Sequence, residues 1–90
     1  MYFDWSEEKN DWLKLNRKVC FEDVVQAIEA GKLISIIDHQ NKDKYPNQKL
    51  FVIELNGYVH YVPFVKDEVK YWLKTIVPSR KLHKIYKGAK

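Results

Sequence analysis

Residues 49–65 read KLFVIEL, then Asn56-Gly57, then YVHYVPFV: two runs of β-branched and aromatic side chains joined by a dipeptide that tolerates positive φ at both positions. That combination predicts a β-hairpin with a two-residue type I′ turn. With Leu55 and Tyr58 closing the turn, Phe51 falls opposite Val62 and Ile53 opposite His60. Side chains alternate along a strand, so Phe51, Ile53, Leu55, Val62 and Phe64 share one apolar face that must be covered.

The flanking segments supply the cover and the rest of the sheet. LISIID (33–38) is a β-branched run, HQNKDKYPNQ (39–48) a polar loop, and KDE (66–68) a turn into VKYWLKTIV (69–77), a strand that Pro78 ends. Upstream, Ser6 caps a predicted helix with Glu7 and Glu8 in its first turn, running to about Leu15 and presenting Trp12 and Leu15 on one side. A second helix carries Phe21, Val24, Val25 and Ile28 at the spacing of a buried face, and Gly31 stops it. YFDW (2–5) reads as an edge strand. The expected architecture is α+β with order βααββββ: two N-terminal helices on an antiparallel sheet, then a short basic C-terminal segment.

Ninety residues make a single domain, 1–90, and 46% hydrophobic residues with three Trp, six Tyr and four Phe suffice for a core. The lone Cys20 excludes an internal disulfide and a Cys-based zinc site and fits a reducing compartment. No apolar run reaches the roughly 18 residues of a membrane span, and the opening MYFDWSEEKN lacks the layout of a signal peptide. The expectation is a soluble, cytoplasmic protein.

Charge is unevenly placed. Net charge is +4, yet the last acid is Glu68, so residues 69–90 hold seven cations (Lys70, Lys74, Arg80, Lys81, Lys84, Lys87, Lys90) and no anion. A field of this shape draws a polyanion or an acidic protein segment to one surface. On VKYWLKTIV, Lys70, Trp72 and Lys74 alternate onto one face and join cations to a ring on which a base can stack, with Tyr71 on the other side. Tyr45 and Tyr86 flank that groove from loop and tail. His39, His60 and His83 are too scattered for a metal motif, so neither metal nor cofactor is expected. His60, among aromatics in the hairpin, reads as structural, and His39 as a weak proton-transfer candidate.

In order and spacing, FDWSEEKNDWL, VCFEDVVQAI, a strand, a polar loop, a hairpin and IVPSRK resemble the BrnT-type toxins of bacterial toxin-antitoxin operons, small members of the RelE-like superfamily. The resemblance covers nearly the whole chain. It implies a RelE-like fold, endoribonuclease activity on mRNA, alone or at the ribosome, that arrests translation and growth, and neutralisation by a cognate antitoxin, through which any contact with operator DNA would be indirect. The chain departs from the family pattern where Arg17 stands for a common histidine, Cys20 for a serine cap, and Asn47, Gln48 and Lys49 for a Glu-Glu-Arg run.

Metal-free RNA cleavage needs an activated 2′-OH, neutralised phosphorane charge and a stabilised leaving oxygen. Arg80 is the leading candidate, a forked donor for the scissile phosphate, with Lys81 and Lys49 as electrostatic helpers. Arg17 takes the same role if the inter-helix loop reaches the groove, and His83 can donate a proton. Lys84 joins Lys70, Trp72, Lys74, Tyr45 and Tyr86 as an RNA-binding residue. The alternative is a RelE-like module without catalysis that binds nucleic acid or a protein partner.

Overall fold

The computed structural model describes residues 2–87, so Lys90 of the basic tail lies outside the described residues. The elements run β1 (Tyr2–Asp4), α1 (Glu7–Arg17), α2 (Phe21–Glu29), β2 (Leu33–Asp38), β3 (Lys49–Leu55), β4 (Tyr58–Lys66), β5 (Lys70–Leu73), β6 (Val77–Pro78) and α3 (Arg80–Tyr86). This is an α+β fold with its helices on both faces of one mixed sheet. Among the described residues no helix is long and apolar enough to cross a membrane.

The hairpin has the expected register, with Leu55 opposite Tyr58, Ile53 opposite His60 and Phe51 opposite Val62. Asn56 and Gly57 take φ of 55° and 77°, the positive values of a type I′ turn. The predicted apolar face is fully used: Phe51, Ile53, Leu55, Val62 and Phe64 form one buried cluster with Leu13, Phe21 and Val24 of the two N-terminal helices. The other face of the hairpin buries Val52 and Val59 under Leu82 of α3.

Three features differ from the sequence reading. The sheet, ordered β1-β5-β4-β3-β2, is mixed, because β1 pairs parallel with β5. The basic tail is a helix, capped by Ser79 Oγ, which accepts from Leu82 N–H at 3.1 Å. The long strand 69–77 is broken in two, since Leu73 faces Phe64 and Val77 faces Tyr61, leaving residues 74–76 opposite only 62 and 63. That extra residue is a β-bulge, a device that re-aims side chains. It sends Ile76 into the helical core with no exposure.

Helix α1 extends to Arg17 and buries Asn10 and Leu13, while Trp12 and Leu15 face outward, 43% and 78% exposed. The side carrying Trp12 and Leu15 is therefore the solvent side. Buried Asn10 is retained because it joins the helices. Its Oδ1 accepts from Phe21 N–H at 2.7 Å, filling an orphan amide at the start of α2, and its Nδ2 donates to Glu22 Oε1 at 2.8 Å. The bond from Asn10 holds the Glu22 carboxyl below its ordinary pKa. Cys20 is the N-cap of α2, and its N–H donates to Asp23 Oδ2 at 3.3 Å.

Asn10→Ala leaves a buried amide unpaired and is expected to cost about 1–3 kcal/mol, read as a lower denaturant midpoint. Gly57→Val is expected to cost about 1 kcal/mol or more. A Cβ at Gly57 meets nothing within 4 Å, so this loss comes from backbone strain, and an unchanged melting temperature would contradict it.

Candidate functional site

The sheet face that carries α3 also carries a depression of about 380 Å³, lined by His39, Tyr45, Gln48, Tyr61, Pro63, Lys74, Thr75 and Val77. Its walls come from the loop after β2, from β4 and from the bulge. Each is held by backbone bonds: His39 N–H donates to Gln48 O (3.3 Å), Gln48 N–H to Tyr45 O (3.2 Å) and Lys74 N–H to Pro63 O (2.8 Å). The first of these extends the β2–β3 ladder by one step and fixes where the His39 ring begins.

His39 and Tyr45 form the aromatic wall, with ring centroids 4.5 Å apart and planes inclined by 36°. Asn41 N–H donates to His39 Nδ1 at 3.0 Å, which makes Nδ1 the acceptor and leaves the ring proton of a neutral imidazole on Nε2. Lys74 and Thr75 reach the same depression from consecutive bulge positions. Thr75 Oγ1 is buried without a hydrogen-bond partner among the described residues. No carboxylate lines this depression. A lysine beside aromatic side chains, with no acid to repel a phosphate, suits a single-stranded, phosphate-bearing ligand.

Of the predicted RNA-binding residues, Lys74 and Tyr45 meet here. Lys70 and Trp72 stand on the other parity of β5 from the core residues Tyr71 and Leu73, as alternation requires. Lys70 is engaged: its Nζ is 2.9 Å from Asp4 Oδ2 and 5.3 Å from the half-buried Trp72 ring. The bond to Asp4 raises the Lys70 pKa and lowers that of Asp4. Arg80, Lys81, Lys84 and Tyr86 lie exposed on α3. None of those four lines the depression, although Arg80 follows lining residue Val77 by three positions. Lys87 pairs with Glu54 at 3.2 Å, so Lys74, Arg80, Lys81 and Lys84 carry the tail's charge without an ion pair among the described residues.

Three predicted catalytic groups sit elsewhere. Arg17 donates from Nη1 to Ile76 O at 2.6 Å and lies 5.0 Å from the Trp12 ring, so it secures the carbonyl that the bulge leaves free. His83 Nδ1 accepts from Val59 N–H at 3.2 Å, and its ring stacks on Tyr58 at 4.2 Å. Together with the Ser79 N–H bond to Val59 O (3.0 Å), this ties α3 to β4. Lys49 has the parity of Phe51 and lines a different depression beside Phe64 and Tyr71, on the face that carries α1 and α2. Its Nζ is 3.8 Å from Asp38.

His60 is 7% exposed, and its Nδ1 lies 2.9 Å from Tyr58 O, the structural placement expected of it. Gln48, Tyr61 and Thr75 were not singled out in sequence as site residues, although Gln48 is among the departures from the family pattern. Tyr61 was within reach, since its parity opposes that of His60 and Val62. Among the described residues no three His, Cys, Asp or Glu side chains gather as a metal-binding group. Compared with protein-family models, curated proteins and solved structures, the chain has no match.

Burial pushes the His60 pKa below the ordinary histidine value, outweighing the bond to the Tyr58 carbonyl. As pH falls through about 6.5, the unfolded ring takes up a proton that the folded ring refuses, so stability declines with acidification from that point until the lower folded value is passed. His60→Gln keeps a donor for Tyr58 O and removes the titration. Its melting temperature is expected to fall less than that of wild type between about pH 7 and about pH 5.5, and parallel curves would show that His60 is not the linked group.

Proposed function

We propose that the protein is an endoribonuclease toxin of the BrnT type within the RelE-like superfamily, acting on mRNA in the bacterial cytoplasm and silenced by a cognate antitoxin. The observation that carries this reading is the acid-free depression in which Lys74, Thr75, Tyr45 and His39 converge, on the sheet face that also bears the basic helix α3. In this reading a base stacks at the His39–Tyr45 wall. Lys74 holds the adjoining phosphate. Arg80 then supplies the forked donor that steadies negative charge as the 2′-oxygen attacks and the 5′-oxygen departs. The antitoxin covers the α3 cations with an acidic segment.

A second reading, a RelE-like module that binds RNA or protein without cutting, draws on the placement of Arg17 and His83. Both are committed to backbone partners, Ile76 O and Val59 N–H, so two of the five catalytic candidates are spent on structure.

Purified protein incubated with single-stranded RNA, with and without ribosomes and in excess EDTA, separates the two. Cleavage is expected to persist in EDTA. Arg80→Ala and Lys74→Ala, each confirmed to be folded, are expected to lower it by about 10² to 10³, the usual cost of losing one preorganised charged donor. Arg80→Lys, which keeps charge without the fork, is expected to recover part of the loss. Binding without cleavage in every condition selects the module. Full cleavage by folded Arg80→Ala removes Arg80 from the chemistry. Reversal of Arg80, Lys81 and Lys84 to Glu is expected to weaken the antitoxin complex, measured by titration calorimetry, and unchanged affinity would place the antitoxin elsewhere.

A further inference from the structure

The face that carries α1 and α2 is only partly covered by them. Beyond the helices lies a depression of about 350 Å³ lined by Ile36, Asn47, Lys49, Phe64, Lys66 and Tyr71. Its floor belongs to an aromatic cluster in which Phe51 and Phe64 stack at 3.9 Å and Tyr71 lies 5.5 Å from Phe64. Its wall is Ile36, an isoleucine left 50% exposed on β2. Both charges on its rim are positive: Lys49, and Lys66, whose Nζ sits 5.4 Å from the Tyr71 ring. Asp38 is 3.8 Å from Lys49, but both side chains are more than half exposed, and Asp38 already pairs with Lys42 at 3.0 Å, so the Lys49 charge is little spent.

Beside this depression runs β2, which pairs with β3 on one side and ends the sheet on the other. Its outer edge, at Ile36, has no strand partner among the described residues. Such an edge is a template for an added strand.

We infer that this surface receives an extended segment of a partner protein, one that adds to the outer edge of β2, sets an aliphatic side chain against Ile36, Phe64 and Tyr71, and places acidic side chains at Lys49 and Lys66. Each part of the occupant answers a part of the surface. The free edge calls for extended backbone, the apolar floor for an aliphatic anchor, and two cations without a lining acid for carboxylates. RNA suits it poorly, because Phe64 is only 4% exposed and packed against Phe51, and the half-buried Tyr71 already has Lys66 over its ring. The inference is independent of the RNA reading. It concerns the opposite sheet face and holds whether or not the protein cuts RNA.

The test uses a short fluorescent peptide alternating isoleucine and glutamate, with a counterpart carrying lysine in place of glutamate, read by anisotropy and by amide chemical shifts of the labelled protein. The glutamate peptide is expected to bind wild type, to shift Ile36, Phe64 and Tyr71 amides, and to lose about tenfold in affinity for the Lys49→Glu, Lys66→Glu double variant. That variant is expected to take the lysine peptide in exchange, which also shows that it is folded. Equal binding of the two peptides to wild type, or shifts confined to other residues, would overturn the inference. So would a single-stranded RNA that moves the same amides.

Discussion

The register of the β3–β4 hairpin is the constraint on which the rest of the molecule depends. Positive φ at Asn56 and Gly57 fixes Leu55 against Tyr58 and thereby assigns every residue of both strands to a face. A slip by one residue, with β3 held in place, would turn Val62 and Phe64 of β4 away from the helices and Val59 and Tyr61 toward them, splitting the apolar face between the two sides of the sheet. Both depressions inherit their chemistry from this assignment: Tyr61 and Pro63 go to the α3 side, Phe64 and Lys49 to the other.

On that frame the bulge at 74–76 does the second piece of sorting. An unbroken strand would continue the alternation of β5 through Val77. The additional residue lets Ile76 enter the core while Lys74 and Thr75 both reach the opposite depression, and it frees a carbonyl that Arg17 then occupies. Arg17 thus ties the end of the first helix to the bulge between β5 and β6. Its guanidinium is part of what holds the bulge in shape, on a backbone carbonyl and not among the residues that line the depression on the α3 face.

What the sequence displayed clearly was local. The hairpin, the apolar stripe of α2, the Ser6 cap and the shared face of Lys70, Trp72 and Lys74 each follow from a few neighbouring residues. Helix α3 was hidden because only Leu82 of its seven residues is buried, so no stripe announces it. Its anchors are tertiary, through Val59, Ser79 and His83. Helix α1 misdirected the reading for a related reason. A buried asparagine takes a core position beside Leu13, and the other two large apolar side chains lie outside, Trp12 beneath Lys9 at 4.2 Å. The separation of Lys49 from Lys74 was available from strand parity. The meeting of His39 with Tyr45 was not, since it depends on how an irregular loop closes.

The parallel pair β1–β5 joins segments 68 positions apart in sequence, with Tyr2 beside Lys70 and Asp4 beside Trp72. Contacts so remote in sequence must wait until the chain between them is compact, because closing a long loop costs entropy before any bond returns it. The two helices and the hairpin, made of near neighbours, have no such delay. β1 is therefore the latch of the fold: Phe3 and the adjoining Trp5, which stack on Tyr71 at 5.6 Å and on Phe21 at 5.5 Å, close the core from the side remote in sequence.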